Sequence, residues 1–413
     1  MLNHFRGLIL ILSGLFAAYT SPAQLQKIYL HPKAAGSEKQ SKFIDSIRFT
    51  PLEVKEGIEL TQFSAPEITK DYFLIRKYVE KEVLLYSKNG RFIKKISYKK
   101  LGNEFWPRYD QLRNQLVFFG YNKNYTLTSR DRIKIQLDWN SPRNRKYYQK
   151  YTIDLADSNF AIKKETPQQN DIAHAYPFYD DLYSVSEITT SEIYKDSLDY
   201  ELKLYQGNQL VKGFFPYNRI NEVKYLFEQE NIGITKTDTP NIHYITRPFC
   251  DTIYKMVKDS LWPAYKIVLP LENSVPASFS TKPFKSKTDR ENYSRNNGWM
   301  LRQIYSVYET PRFLYLTLRY LSNYEGYIYQ KQTQTTHKVR NIKPDSSQYN
   351  LSLIAGFDFV RKNDRFYKTQ KAGDLLSFFE KNKDIPVPPD LESFIKSNPP
   401  ATTPVIIEFK FKN

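Results

Sequence analysis

The chain has 413 residues, a net charge of +17, a single cysteine and an aromatic content of 15% led by 33 Tyr and 27 Phe. One cysteine excludes a disulfide scaffold, and scarce Gly beside abundant Tyr, Phe, Ile, Val and Thr excludes a helical bundle or an extended disordered chain. The basic balance favours polyanions through long-range steering.

At the N-terminus Arg6, the apolar run 8–18 and Ser21-Pro22-Ala23 read as a secretory signal peptide over residues 1–23, cut after Ala23. The run is too short to cross a bilayer, which takes roughly 20 residues. No later stretch could span one, and the lone Cys250 lies far from the cleavage site, so a lipoprotein cysteine is missing. A periplasmic or secreted protein is expected, with no transmembrane span after cleavage. That address argues against nucleic acid as a partner. It points the positive charge at acidic glycans or another envelope protein, and a monomer is expected.

Residues 24–42 are polar and read as an irregular N-terminal segment, followed by one domain over 43–413. Phe43, Ile47 and Phe49 suit a strand. Residues 72–75, 83–86 and 92–96 read as strands, the last two joined by Asn89-Gly90, a two-residue hairpin signal. Leu202-Lys203-Leu204-Tyr205 followed by Gly207-Asn208 repeats this unit, and Ile253-Tyr254 and Ile328-Tyr329 echo it. Further units are expected over 108–137, 174–215, 228–269, 299–342 and 351–370, with 282–297 as a polar loop and 141–170 as an outer strand or an insertion. Val83, Leu84, Leu85 and Tyr86 are apolar at successive positions, which requires a sheet covered on both faces. Cys250 is expected as a small buried residue in a strand.

Near the C-terminus the period changes. Leu375, Leu376, Phe378 and Phe379 behind Asp374, read as an N-cap, and Leu391, Phe394 and Ile395 behind Pro388-Pro389, predict a short helical insertion at about 372–397. Val405, Ile407, Phe409 and Phe411 then face one way, and Glu408 and Lys410 the other, in a final strand. Such a strand can pair with N-terminal material and remove open sheet edges. The expected fold is all-β: a six-bladed β-propeller closed by its N- and C-terminal strands, with a short helical segment near the C-terminus.

Four stretches resemble the six-bladed β-propeller family of exported Bacteroidota proteins. They are Asp45-Ser46-Ile47-Arg48-Phe49-Thr50-Pro51-Leu52-Glu53, the hairpin 83–96, Cys250-Asp251-Thr252-Ile253-Tyr254 with Asp259-Ser260-Leu261-Trp262-Pro263, and the closing 404–412. The resemblance implies the fold and an exported setting and carries no activity. Two departures stand out. The stretch Leu101-Gly102-Asn103-Glu104-Phe105 lacks most of the glycines the family has there, and the lipoprotein cysteine of many members is missing.

No motif announces a chemistry. His31, His174, His243 and His337 are far apart and lack metal-ligand spacing, so no metal and no cofactor is expected. There is no nucleophile elbow and no phosphate-binding loop. Asp180, Asp181 and Asp358 are the candidate catalytic carboxylates, since a glycosidase needs two acids across its substrate. Trp106, Tyr109, Trp299, Arg302, Tyr305 and Tyr324 are the candidate ligand-binding residues, as aromatic faces and a cation suit sugars. The reading is an exported non-enzymatic protein that binds a glycan or protein partner or serves as a scaffold. The alternative is a periplasmic glycan-active hydrolase or lyase.

Overall fold

Strands that are apolar on both faces need partners on both sides, and that requirement organises the molecule. The computed structural model describes residues 25–55, 66–101, 107–137, 144–167, 175–179, 182–186, 198–206, 209–218, 232–237, 239, 241–279, 284–354 and 359–413.

Strands β1 (Gln26–Tyr29) and β2 (Ile44–Pro51) open the described chain. The first sheet is β3 (Glu67–Ile68), β4 (Tyr72–Lys77), β5 (Glu82–Ser87) and β6 (Phe92–Ser97). The second is β7 (Arg108–Asp110), β8 (Gln115–Tyr121), β9 (Tyr148–Asp154) and β10 (Ile162–Glu165). The third is β11 (Ala175–Tyr179), β12 (Leu182–Ser186), β13 (Leu198–Gln206) and β14 (Gln209–Asn218). The fourth is β15 (Gly233–Lys236), β16 (Ile242–Thr246), β17 (Thr252–Val257) and β18 (Ser260–Val268), with β1 added in parallel beside β18. The fifth is β19 (Gln303–Glu309), β20 (Phe313–Arg319), β21 (Tyr324–Gln330) and β22 (Thr335–Lys338). The sixth is β23 (Phe359–Lys362), β24 (Arg365–Lys371) and β25 (Pro404–Phe411), and it takes β2 as its fourth strand.

Alternation along each strand sends neighbouring side chains to different sheets. On β4, Phe73 and Ile75 cluster with Tyr367 and Ile406 of the sixth sheet, while Leu74 clusters with Phe118 and Tyr151 of the second. On β20, Phe313 and Tyr315 face the sixth sheet, and Leu314, Leu316 and Leu318 face the fourth. On β16, Tyr244 joins the fifth sheet and Ile245 the third. Sheet three thus packs on four, four on five, five on six, six on one, and one on two. The final strand behaves likewise: Val405, Ile407, Phe409 and Phe411 fill one cluster and Ile406 the other.

Helix α1 (Ser129–Leu137) lies between β8 and β9, within a stretch read as strands. Helix α2 (Lys287–Asn296) lies within 282–297, read as a loop; its N-terminus is capped by Ser286, whose Oγ accepts the Asp289 N–H at 3.1 Å. Helices α3 (Ala372–Lys381) and α4 (Pro389–Lys396) precede β25. Asp374 is not the N-cap of α3: the helix starts two residues earlier, and Asp374 sits in its first turn, where a carboxylate complements the free N–H groups.

The 24–42 segment, read as irregular, contributes more than a coil. After β1 joins sheet four, Gly36 bridges His337 beside sheet five and Lys39 bridges Lys343, before β2 joins sheet six. Ile28 and Leu30 of its early part are buried, at 1% and 2% exposure. Cys250 is half-buried just ahead of β17, not within a strand. The Asn89-Gly90 turn abuts the β2 exit: Gly90 has φ +84°, and a Cβ there would lie 2.0 Å from the Pro51 carbonyl oxygen. Only glycine fits that position.

Candidate functional site

Among the described residues most aromatic side chains are buried, so the exposed ones mark the surface. Tyr305, Tyr324 and Trp299 are 53%, 44% and 55% exposed. Their exposure has local causes. The β19–β20 register shifts between Ile304 and Ser306, which leaves Tyr305 outside the ladder while Ile304 and Val307 stay buried. Tyr324 begins β21 directly opposite Arg319. The two tyrosine rings meet edge to face at 5.5 Å, and the Arg319 guanidinium lies 5.6 Å from the Tyr324 ring. Trp299 rests its edge on the buried Tyr320 ring at 5.8 Å. Arg302 does not join this surface. It is buried, with its guanidinium 5.8 Å from the Phe249 ring, and its backbone N–H donates to the Arg319 carbonyl at 2.9 Å. Arg319 supplies the cation instead. The β20–β21 register, with its short turn between Tyr320 and Asn323, is the signal that could have found it.

Tyr109 belongs elsewhere. It lies on β7, donates its hydroxyl to Asn114 Oδ1 at 3.0 Å and accepts the Lys70 N–H at 3.3 Å. The ammonium of Lys362 sits 5.3 Å over its ring and donates to Gln111 Oε1 at 3.2 Å. Burial raises the Tyr109 phenol above its ordinary value, partly offset by the Lys70 N–H. Next to Lys362, Arg361 reaches the other way. Its guanidinium lies 4.2 Å over the Tyr308 ring and donates to the Lys236 carbonyl. Side chains of sheet six thereby reach sheets two, four and five. Burial, then the charge of Lys362, holds the Lys236 ammonium at about 7, and the same two causes hold Lys88 at about 8.

Trp106, Asp180, Asp181, Asp358 and His174 lie outside the described residues. Among the described residues no three His, Cys, Asp or Glu side chains gather as a metal site. His243 is stacked on Phe178 at 4.1 Å, and burial followed by the Lys236 charge pushes its imidazole down to about 4, so it is neutral at physiological pH. A cavity of about 500 Å³ opens at the β2 exit, between Leu52, Val54, Arg91, Phe394 and Pro399. Glu53 is the one carboxylate in its lining, and Lys55, then the Phe92 N–H, hold it below the usual range. A single acid already paired does not meet the two-carboxylate requirement of glycoside hydrolysis.

The basic stretches of the sequence are partly neutralised within the fold. Arg76 pairs with Glu67, Lys77 with Glu80, Lys331 with Glu309 and Lys338 with Glu325. No described helix is long and apolar enough to cross a membrane.

No protein-family model matches the chain, and no curated protein matches it. Among solved structures it is similar to a presumed exported protein from Bacteroides fragilis, with a TM-score of 0.56 and 15% identity over 94% of this chain and 100% of that one. It is also similar to a member of the DUF4221 family from Bacteroides vulgatus, with a TM-score of 0.42 and 11% identity over 91% and 100%. A third is the β-propeller domain of the trilobed protease from Pyrococcus furiosus, with a TM-score of 0.31 and 9% identity over 74% and 88%. The first likeness is one of overall fold: this chain is built like the Bacteroides fragilis protein.

Proposed function

We propose that the six sheets are the blades of a six-bladed β-propeller closed where β2 joins β25, and that this is an exported, non-enzymatic glycan-binding protein. The serial packing of the sheets and the sharing of the sixth between both ends of the chain support the architecture. The likeness to a presumed exported protein supports the address.

The observation that carries the binding reading is the exposed Tyr305–Tyr324 pair beside Arg319. Aromatic rings offer apolar faces to the C–H side of a sugar ring, and a guanidinium pairs with a carboxylate or sulfate substituent. The ligand class is therefore an acidic oligosaccharide. Uronate-containing and neutral oligosaccharides should be compared by calorimetry, using the protein and its Tyr305→Ala/Tyr324→Ala variant. Each ring contributes about 0.5–1.5 kcal/mol, so the variant should lose roughly 5- to 150-fold in affinity. Both rings are exposed, so folding should be unchanged. Equal affinity in protein and variant would refute the site. Release of shortened saccharides would refute the non-enzymatic reading.

A further inference from the structure

We infer that one end of sheet two, where α1 lies between β8 and β9, is a docking surface for an anionic lipid bilayer. It does not include the tyrosine pair of β19 and β21 and stands independently of it.

A small core holds α1 against the ends of β8 and β9. Tyr121, Ile135 and Tyr148 are buried in it, with Leu127 and Tyr147 packed alongside. The Tyr121 and Tyr148 rings stack at 6.0 Å, and the Tyr148 hydroxyl donates to the Ile135 carbonyl at 3.3 Å. A helix turns roughly 100° per residue, so burial of Ile135 sends Ile133 to the opposite side. Ile133 is accordingly 57% exposed, and Arg130, three residues earlier, shares its outward face. Tyr125 is 40% exposed and meets the Tyr147 ring edge to face at 5.1 Å. Two apolar groups therefore project from this end of the sheet.

Six exposed cations share it: Lys99, Lys100, Lys123, Arg130, Arg132 and Lys146. Direct contacts bring them together. The Lys123 ammonium donates to the Lys100 carbonyl at 3.1 Å, which joins the exit of sheet one to the patch. Asn122 Nδ2 donates to the Lys146 carbonyl at 3.0 Å, and the Lys146 ammonium lies 5.0 Å from the Tyr147 ring. The Arg132 guanidinium lies 5.2 Å from the Tyr121 ring. Among the described residues none of the six makes an ion pair. Asp131, the one carboxylate on α1, accepts the Thr128 hydroxyl at 2.6 Å and its N–H at 3.1 Å. This end thus keeps its charge, whereas Arg76, Lys77, Lys331 and Lys338 spend theirs on carboxylates.

Charge and apolar exposure together select the partner. Cations attract any polyanion, but a soluble polyanionic chain offers no apolar layer to Ile133. A bilayer does: aliphatic and tyrosine side chains enter the headgroup boundary while lysine and arginine stay with the phosphates. Each cation at an anionic surface is worth about fivefold in affinity. The attraction fades within a Debye length, so only cations on one face add up.

The test is co-sedimentation of the mature protein with vesicles of equal parts phosphatidylglycerol and phosphatidylcholine, and with phosphatidylcholine alone. The unmodified protein should bind the anionic vesicles, let go as salt rises, and ignore the neutral ones. Lys123→Gln/Arg130→Gln/Arg132→Gln should lose about 100-fold in affinity, because three such contributions multiply. Lys258→Gln/Lys371→Gln/Lys383→Gln removes the same charge from exposed positions outside the patch and should lose less than about fivefold. Tyr125→Ser/Ile133→Ser keeps every charge and should still weaken vesicle binding about tenfold or more, since the lost apolar burial is large. All these side chains are exposed or half-buried at the surface, so melting temperatures should match the parent's. Failure of the unmodified protein to bind anionic vesicles would overturn the inference whatever the variants do. Equal losses in the two triple variants would reduce it to net charge and overturn it as well. Vesicle binding that depends on the three cations but not on Tyr125 and Ile133 would assign this face to a soluble polyanion and overturn the lipid assignment.

Discussion

Arg247→Ala should be among the most damaging single changes on the polar side of this fold. Glu201 on β13 is 1% exposed, and its carboxylate receives both Nε, at 3.0 Å, and Nη2 of Arg247, which follows β16. The pair ties sheet three to sheet four beside the cluster of Leu202, Leu204, Ile245 and Met256. Burial disfavours the charge on Arg247, but the Glu201 carboxylate outweighs it and holds the guanidinium above its ordinary value. The guanidinium also lies 4.4 Å over the Phe215 ring. Removing Arg247 leaves a buried carboxylate with no counter-charge, which costs about 3–5 kcal/mol. Loss of the ring contact adds about 0.5–1 kcal/mol. Removing both charges is a different perturbation: Arg247→Ala/Glu201→Leu should recover most of the loss, since an apolar replacement of a buried pair is often near neutral. Urea unfolding followed by fluorescence measures all three proteins. A loss below about 1 kcal/mol in Arg247→Ala, or a double variant no more stable than the single one, would refute the reasoning about a buried, uncompensated charge.

Other consequences follow from particular contacts. Ile28→Ala should destabilise by about 2–5 kcal/mol, as for a large-to-small change in a core, although it lies in a segment that looks dispensable; a melting point like the parent's would contradict the role of β1. Gly90→Ala should cost at least about 1–2 kcal/mol, since it combines positive φ with a Cβ pressed on the Pro51 carbonyl, and unchanged urea stability would remove Gly90 from the seam. Stability should also rise with pH above about 7. The unfolded chain keeps its lysine protons to about 10.4, while in the fold Lys236 releases its proton near 7 and Lys88 near 8. The cost of charging them is therefore complete below that range and fades as pH rises. Above about 10 the sign reverses, because burial holds Tyr86, Tyr98 and Tyr315 at about 12 and the unfolded phenols ionise first. Melting temperatures between pH 6.5 and 9.5 should climb more steeply in the parent than in Lys236→Met, and parallel curves would contradict the assignment.

What the sequence disclosed depended on how local the cause was. The Asn89-Gly90 hairpin and the alternation in 404–411 were readable because turn chemistry and side-chain period act over a few residues. The doubly apolar run Val83-Leu84-Leu85-Tyr86 pointed to sheets covered twice, and its members do divide between two clusters. Strand β1 was not readable. It is a parallel edge strand held by its backbone ladder, and Gln26, Lys27 and Tyr29 stay exposed, so it carries almost no apolar pattern. Helix α2 was hidden for a similar reason, since Lys-Thr-Asp-Arg-Glu-Asn-Tyr-Ser-Arg-Asn has too few apolar residues to show a period. Of the candidate site, Tyr305 and Tyr324 were legible as aromatics suited to a sugar face, and their pairing was not. The contacts of Arg361 with the Lys236 carbonyl and of Lys362 with Gln111 were not legible either, because only the packing of separate sheets brings those residues together.

The account rests most heavily on the joining of the two chain ends in one sheet, and a cross-link measures that directly. Arg48 on β2 lies opposite Glu408 on β25, and opposed residues of an antiparallel pair sit within disulfide reach, at about 4.5–5.5 Å between Cα atoms. With Cys250 replaced by Ala, Arg48→Cys/Glu408→Cys should oxidise to an intramolecular disulfide, seen by peptide mass spectrometry and as faster non-reducing gel migration. The oxidised form should unfold at higher urea than the reduced form, because the bond closes a very long loop. Free thiols after oxidation, or disulfides only between chains, would contradict closure by β2 and β25.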